Sequence, residues 1–283
     1  MKFMRRHNKS SGFTLVEIAV VAPILILMIG VIIVSIITLT GQSVIESSKG
    51  QLINDVQDAL DRIDADVQAS GAYLSTNNIT PVAPQGLNDD TQKFVSINPS
   101  GVDAIILNSY VTTDNPYVNS RNLIYLPNSP FACSDSNLVQ NQVMTMNTVY
   151  FVKDSTLWRR LIAPNNYATK VCSGITIWQQ PTCAESKMSV NTTACKVQDE
   201  KILSGVGPLD FIVNYYLSAN DATPTDGAED TDPDARQVAI DKSSTMQITI
   251  KGKRQVAGQD VTQQASIRVS RKGSIVKYAT PAS

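Results

Sequence analysis

Gly12-Phe13-Thr14-Leu15-Val16-Glu17 opens the stretch that decides the fold, because the residues after it, IAVVAPILILMIGVIIVSIITL (Ile18–Leu39), run for 22 positions without a charge. At 1.5 Å per residue this makes ~33 Å of helix, about one hydrocarbon thickness, so one membrane span is expected. The rich Ile/Val content suits a lipid-facing helix, Gly30 allows close helix approach or bending, and Pro23 marks a place for a kink. The twelve residues before Phe13 hold Lys2, Arg5, Arg6 and Lys9 and no acid. That balance keeps such a flank on the cytoplasmic side. An ordinary secretory signal is cut after its apolar core, whereas the small-residue junction here, at Gly12, lies before it. Glu17 is the anomaly, since an ionisable group costs ~2.5–3.5 kcal/mol near a bilayer centre and marks function when it occurs in a span. It needs a partner.

Beyond Gly41 the pattern changes. Leu52/Ile53, Val56, Leu60, Ile63 and Val67 recur at steps of three and four, with Asp55, Asp58, Asp61, Arg62, Asp64 and Asp66 between them. This is an amphipathic helix, expected to reach about Tyr73, with its acids on a solvated face. Asn77, Asn78, Pro81, Pro84 and Gly86 then open a loop region. From there the chain reads as strands: Val102–Leu107, Leu123–Leu126, Val149–Val152, Leu157–Ile162, Phe211–Leu217, Val238–Ile240, Met246–Ile250 and Ala265–Val269, separated by Asn, Asp, Gly and Pro clusters. A hairpin is expected across Asp154-Ser155, and another between Met246–Ile250 and Ala265–Val269 through a polar connection containing Gly252 and Gly258. The fold class is therefore α+β. The expected division is a leader (residues 1–12), a stem helix (13–76) and one β-rich exported head (77–283), whose ~200 residues can bury a single core.

The N-terminal segment, from the basic leader through Gly12, Phe13 and Glu17 to the apolar run, resembles the processing site of type IV prepilins and pseudopilins. The head carries shorter motifs in the same direction: Tyr150-x7-Trp158-Arg159-Arg160, Ile202-Leu203-Ser204-Gly205-Val206 leading to Phe211–Tyr216, then Arg236–Ile240 and Met246–Ile250. Their order is similar to the strand sequence of J-type minor pseudopilins and W-type minor pilins. The cysteine-bearing insert departs from a compact J-type head, and Pro23 falls earlier than the proline common in such stems. The resemblance implies cleavage between Gly12 and Phe13 by a prepilin peptidase, N-methylation of Phe13, and pairing of Glu17 with the α-amino group of a neighbouring subunit. It also implies an inner-membrane location with the head exported, followed by entry into a pilus or pseudopilus at or near its tip. The implied partners are an assembly platform with its ATPase, other minor subunits and the major filament subunit.

Cys133, Cys172, Cys183 and Cys195 all lie beyond the span, where an oxidising compartment favours disulfides. Four cysteines allow three connectivities, and Cys183–Cys195 with Cys133–Cys172 closes the more local loops. A zinc site is less attractive, as no C-x2-C pair occurs. The single histidine, His7, sits in the leader, so histidine-dependent triads are excluded from the exported part. No G-x-S-x-G, phosphate loop, H-E-x-x-H or paired-acid motif stands out, and no enzymatic activity is expected. Trp158 and Trp178 read as core or rim aromatics, and Arg159-Arg160 as a strand pair with one guanidinium in solvent.

One cation site is worth naming: Asp230, Asp232 and Asp234 stand at D-x-D-x-D spacing, with Asp241 at the twelfth position, and hard oxygen ligands suit Ca²⁺. Ala235 replaces the central glycine, and the plainer reading is a hydrated acidic loop without a cofactor. Charge excludes a general nucleic-acid binder: 24 Lys+Arg against 25 Asp+Glu becomes 20 against 25 once the leader is lost. Lys251, Lys253, Arg254, Arg268, Arg271 and Lys272 form a local basic cluster that more simply solubilises edge strands. Two other functions stay open on sequence, a membrane-tethered adhesin or binding module that never polymerises and a tethered hydrolase that uses no histidine.

Overall fold

The computed structural model describes residues 14–97, 101–117, 122–126, 142–164, 176–188, 195 and 197–271. The described residues open with one continuous helix, α1 (Leu15–Ala69), of 55 residues, ~80 Å at 1.5 Å per residue. It passes through Pro23 without interruption. It stops earlier than its periodicity predicts: Ser70 is extended, and β1 (Ser70–Leu74) takes over residues the sequence assigns to the stem. The reason is tertiary. Gly71 packs against the Tyr110 ring, and pairing with the next strand satisfies backbone groups that a further helical turn would leave competing for the same space.

The head adds β2 (Ile105–Tyr110), β3 (Tyr125–Leu126), β4 (Gln142–Val143), β5 (Thr145–Lys153), β6 (Thr156–Ile162), β7 (Thr182–Cys183), β8 (Val197–Gln198), β9 (Glu200–Ser204), β10 (Phe211–Tyr216), α2 (Pro233–Lys242), β11 (Thr245–Val256) and β12 (Gln259–Ser270). An antiparallel sheet orders β1-β2-β5-β6-β9, and a second orders β10-β11-β12. The β5–β6 hairpin turns on Asp154 and Ser155, both at positive φ (51° and 54°), the two-residue turn whose twist suits paired strands. β11 and β12 stay paired from Thr245↔Ser270 to Val256↔Gln259. Gly252 is therefore inside a strand, not in a connection as its neighbours suggested. Its hydrogen faces the stem: a Cβ there would stand 3.0 Å from Leu52 Cδ1 and 3.1 Å from Val56 Cγ2.

The upper half of α1 supplies the core. Leu52, Val56, Leu60, Ile63 and Val67 are buried against Ile105, Leu107, Tyr150 and Leu203 of the larger sheet and Phe211, Met246, Ile248 and Ile250 of the smaller one. The opposite face of the larger sheet is covered too, Ile106, Val149, Phe151 and Ile162 packing with Phe94 from the 77–97 loop. Covering on both faces explains why Ile105-Ile106-Leu107 reads as continuous apolar sequence, not as an alternating one.

Val238–Ile240, expected as a strand, belongs to α2. Asp232 caps that helix, accepting from Asp234 N, and Pro233 occupies its first turn. Ala239 and Ile240 go into the core while Val238 is exposed. α2 covers the outer edge of β1 through one side chain: Gln237 Nε2 donates to Tyr73 O (3.1 Å) and Gln237 Oε1 accepts from Ser75 N (2.7 Å). A primary amide thus takes the donor and acceptor that an additional strand would use.

Candidate functional site: the stem and its junction with the head

Thr14 and Glu17 form a capping box at the start of α1: Glu17 N donates to Thr14 Oγ1 (3.3 Å), and Thr14 N donates to Glu17 Oε2 (2.9 Å). Two orphan backbone donors of the first turn are satisfied reciprocally, and Glu17 stands at the positive end of the helix dipole. Gly12 and Phe13 lie outside the described residues. From Leu15 to Leu39 the helix is exposed on every side. The hydroxyls of Ser35 and Thr38 near its top, and of Thr40 just beyond, do not add free donors, because each bonds the carbonyl four residues back, at 2.8–2.9 Å. The segment is long and apolar enough to cross a membrane.

About 40 Å further up the same helix, at 1.5 Å per residue, the stem is fastened to the head by charge. Asp66, expected on the solvated face, is only 5 % exposed. It accepts from Arg159 Nε (2.6 Å) and Nη2 (3.2 Å) on β6, from Tyr150 Oη (2.5 Å) on β5, and from the Tyr117 hydroxyl. Burial pushes the Asp66 carboxyl up, but Arg159 and the two phenols outweigh it and hold it below the usual carboxylate range. Tyr150 is raised in turn, first by burial and then by the Asp66 charge. Glu200 completes the cluster, bridging Arg62 (3.0 Å) on the stem and Arg159 (3.2 Å).

The neighbouring Arg160 is also buried, at 1 % exposure. Neither member of the Arg159-Arg160 pair therefore faces solvent, contrary to the alternation expected of a surface strand. Arg160 bonds Asp199 through Nε and Nη2 (2.6–3.1 Å), Asp89 through Nη2 (2.9 Å) and the Gly86 carbonyl through Nη1 (2.7 Å), and its guanidinium lies 5.2 Å from the Phe151 centroid. It ties the 85–89 loop to β6 and to the segment after β8. Burial of Asp89 works against the charged form, while Lys153 and Arg160 bonds bring its pKa down on balance.

The other sequence-derived residues fall elsewhere. Cys183 and Cys195 are joined in a disulfide, Cα atoms 5.8 Å apart; Cys133 and Cys172 lie outside the described residues. Asp230 Oδ1 accepts from Asp232 N (2.9 Å), and Asp232 Oδ1 from Asp234 N (3.0 Å), so these carboxylates shape the entry to α2. Among the described residues no three acidic, His or Cys side chains converge as a metal site. The basic cluster is dispersed into local contacts: Lys253 with Asp260 (2.8 Å), Arg254 with Asp55 (2.7 Å), Arg268 over Tyr216 and Arg271 on the Gly71 and Ser243 carbonyls. Lys272 lies outside the described residues. Trp158 is half-buried and Trp178 is 56 % exposed.

Set against known proteins, the chain matches no family model and no curated sequence. Its architecture defines the class on its own: an α+β protein in which one long helix, apolar and uncovered below, carries an antiparallel β head above.

Proposed function

We propose that the chain is a minor pilin or pseudopilin, a structural and non-catalytic subunit that enters a type IV pilus or type II secretion pseudopilus at or near its tip. The observation that carries this reading is the division of α1. Its lower part offers apolar surface in every direction, with Glu17 at its foot, while its upper part is locked into the head by the Asp66–Arg159 cluster. A stem of that kind needs apolar surroundings on all sides, first lipid and then other stems, and a rigid head rides with it.

In this mechanism prepilin peptidase removes the leader after Gly12 and exposes the Phe13 amine. Each incoming subunit then presents an ammonium to the Glu17 carboxylate of a neighbour. In the isolated chain Glu17 is occupied by Thr14 N–H and hydroxyl, so assembly exchanges a local neutral donor set for a full cation in an apolar setting, where charge-assisted bonds are strongest. The head selects which minor subunits and which platform surface it meets. Gly12→Ala and Glu17→Ala are the test: each is expected to leave the protein in the membrane and out of sheared filaments. Entry of both variants into filaments at parental levels would refute this account.

A further inference from the structure

A cavity of about 440 Å³ opens between the outer edge of β10, the segment around Asp103, the 224–229 loop and the first turn of α2. The volume falls at the small end of ligand pockets, which run ~300–1,000 Å³. Arg236 lines it and is 2 % exposed, yet its Nε and Nη1 are buried without a hydrogen-bond partner. Its guanidinium carbon lies 5.8 Å from the Tyr215 ring centroid. A buried guanidinium with two nitrogens left unpaired is costly to the fold unless something pairs with them. Asp103 lines the same cavity and is also buried, its Oδ2 accepting from Val213 N (2.7 Å). Asp103 and Arg236 therefore carry opposite charges in one cavity without forming an ion pair. Asp226 and Glu229 add two exposed carboxylates at the mouth.

We propose that this cavity binds a small zwitterion of the free α-amino acid class, its carboxylate on Arg236 and its ammonium among Asp103, Asp226 and Glu229. Three carboxylates around one guanidinium disfavour a phosphate or other dianion, and a single buried arginine disfavours a simple amine. A molecule carrying both charges a few bonds apart answers both groups. The unpartnered nitrogens are buried, so the ligand meets them through a small adjustment of the exposed turn that holds Asp226 and Glu229.

The test uses the full-length chain in detergent micelles, with its unfolding temperature followed in glycine, L-alanine, L-leucine or L-glutamate and in the single-charge controls propionate and ethylamine. A saturable rise is expected with at least one amino acid and with neither control, since only a ligand bound to the folded state raises the midpoint. Arg236→Met is expected to abolish the rise while the unliganded midpoint holds or increases. The surface double variant Asp226→Asn/Glu229→Gln should keep the unliganded midpoint and weaken the apparent affinity severalfold. No rise with any amino acid, an equal rise with propionate, or a rise that survives in Arg236→Met would overturn the proposal. Loss of the folded state in Arg236→Met would do the same, assigning the guanidinium to packing.

Discussion

Asp66→Asn is the substitution that most directly challenges the stem–head lock. The amide keeps nearly the same shape, but it removes the charge that offsets Arg159 and turns one acceptor into a donor facing Arg159 and two phenols. Breaking a buried pair by removing one partner costs ~3–5 kcal/mol. Glu200, at 3.2 Å from Arg159 but well exposed, recovers only part of that charge, so the lower end, about 3 kcal/mol, is expected. At ~2–4 °C per kcal/mol for a head of this size, the midpoint falls on the order of 6–12 °C. The measurement is thermal and urea unfolding of the detergent-solubilised chain, read by fluorescence of Trp158 and Trp178. The pH dependence has a definite sign. The folded Asp66 pKa is below its unfolded value of ~3.9, so its contribution is complete above that value and is lost as pH falls through the lower folded pKa. Asp66→Asn should therefore lie below the parent at neutral pH and approach it under acid. The double replacement Asp66→Leu/Arg159→Met, which removes both charges, should recover much of the loss. A neutral-pH loss under ~0.5 kcal/mol for Asp66→Asn would refute the view that this pair fastens stem to head.

Further consequences are equally specific. Gly205 has φ +78° and a Cβ there would stand 1.8 Å from Lys253 O, whereas Gly258, also at φ +78°, has open space around it. Gly205→Ala should prevent stable folding by circular dichroism, while Gly258→Ala should cost only the ~1–2 kcal/mol of a left-handed residue. Gln237→Ala should open the β1 edge, raising hydrogen exchange at the Ser75 amide and costing ~1–3 kcal/mol by urea unfolding. Cys183→Ala opens a crosslink spanning 12 residues, for which loop-closure entropy predicts a loss of ~2–3 kcal/mol, absent when parent and variant are compared under full reduction.

The stem was legible because its signals are local. An uncharged run followed by a 3.6-residue period defines both halves of α1, and turn-flanked apolar stretches locate β2, β5, β6, β10, β11 and β12. What escaped depends on partners distant in sequence. Asp66 looks like any acid on a helix face until β6 brings Arg159 to it from 93 positions away. Arg159-Arg160 looks like an alternating pair with one exposed half until Asp66 takes up Arg159 while the 85–89 loop and Asp199 enclose Arg160. α2 reads as a strand in sequence because Val238, Ala239 and Ile240 are a short apolar run. The signal that would have found it was Asp232-Pro233, a capping acid followed by proline at the first helical position. The Arg236 cavity was invisible for the same reason, since it exists only once that helix is placed.

The central claim is that this chain becomes a filament subunit once proteolysis frees an amine for a neighbour's Glu17. It is tested most directly by mass spectrometry of the N-terminus of the native protein recovered from purified filaments. The expected chain begins at Phe13 and carries a methylated α-amine. A filament-borne chain that still begins at Met1 would contradict it.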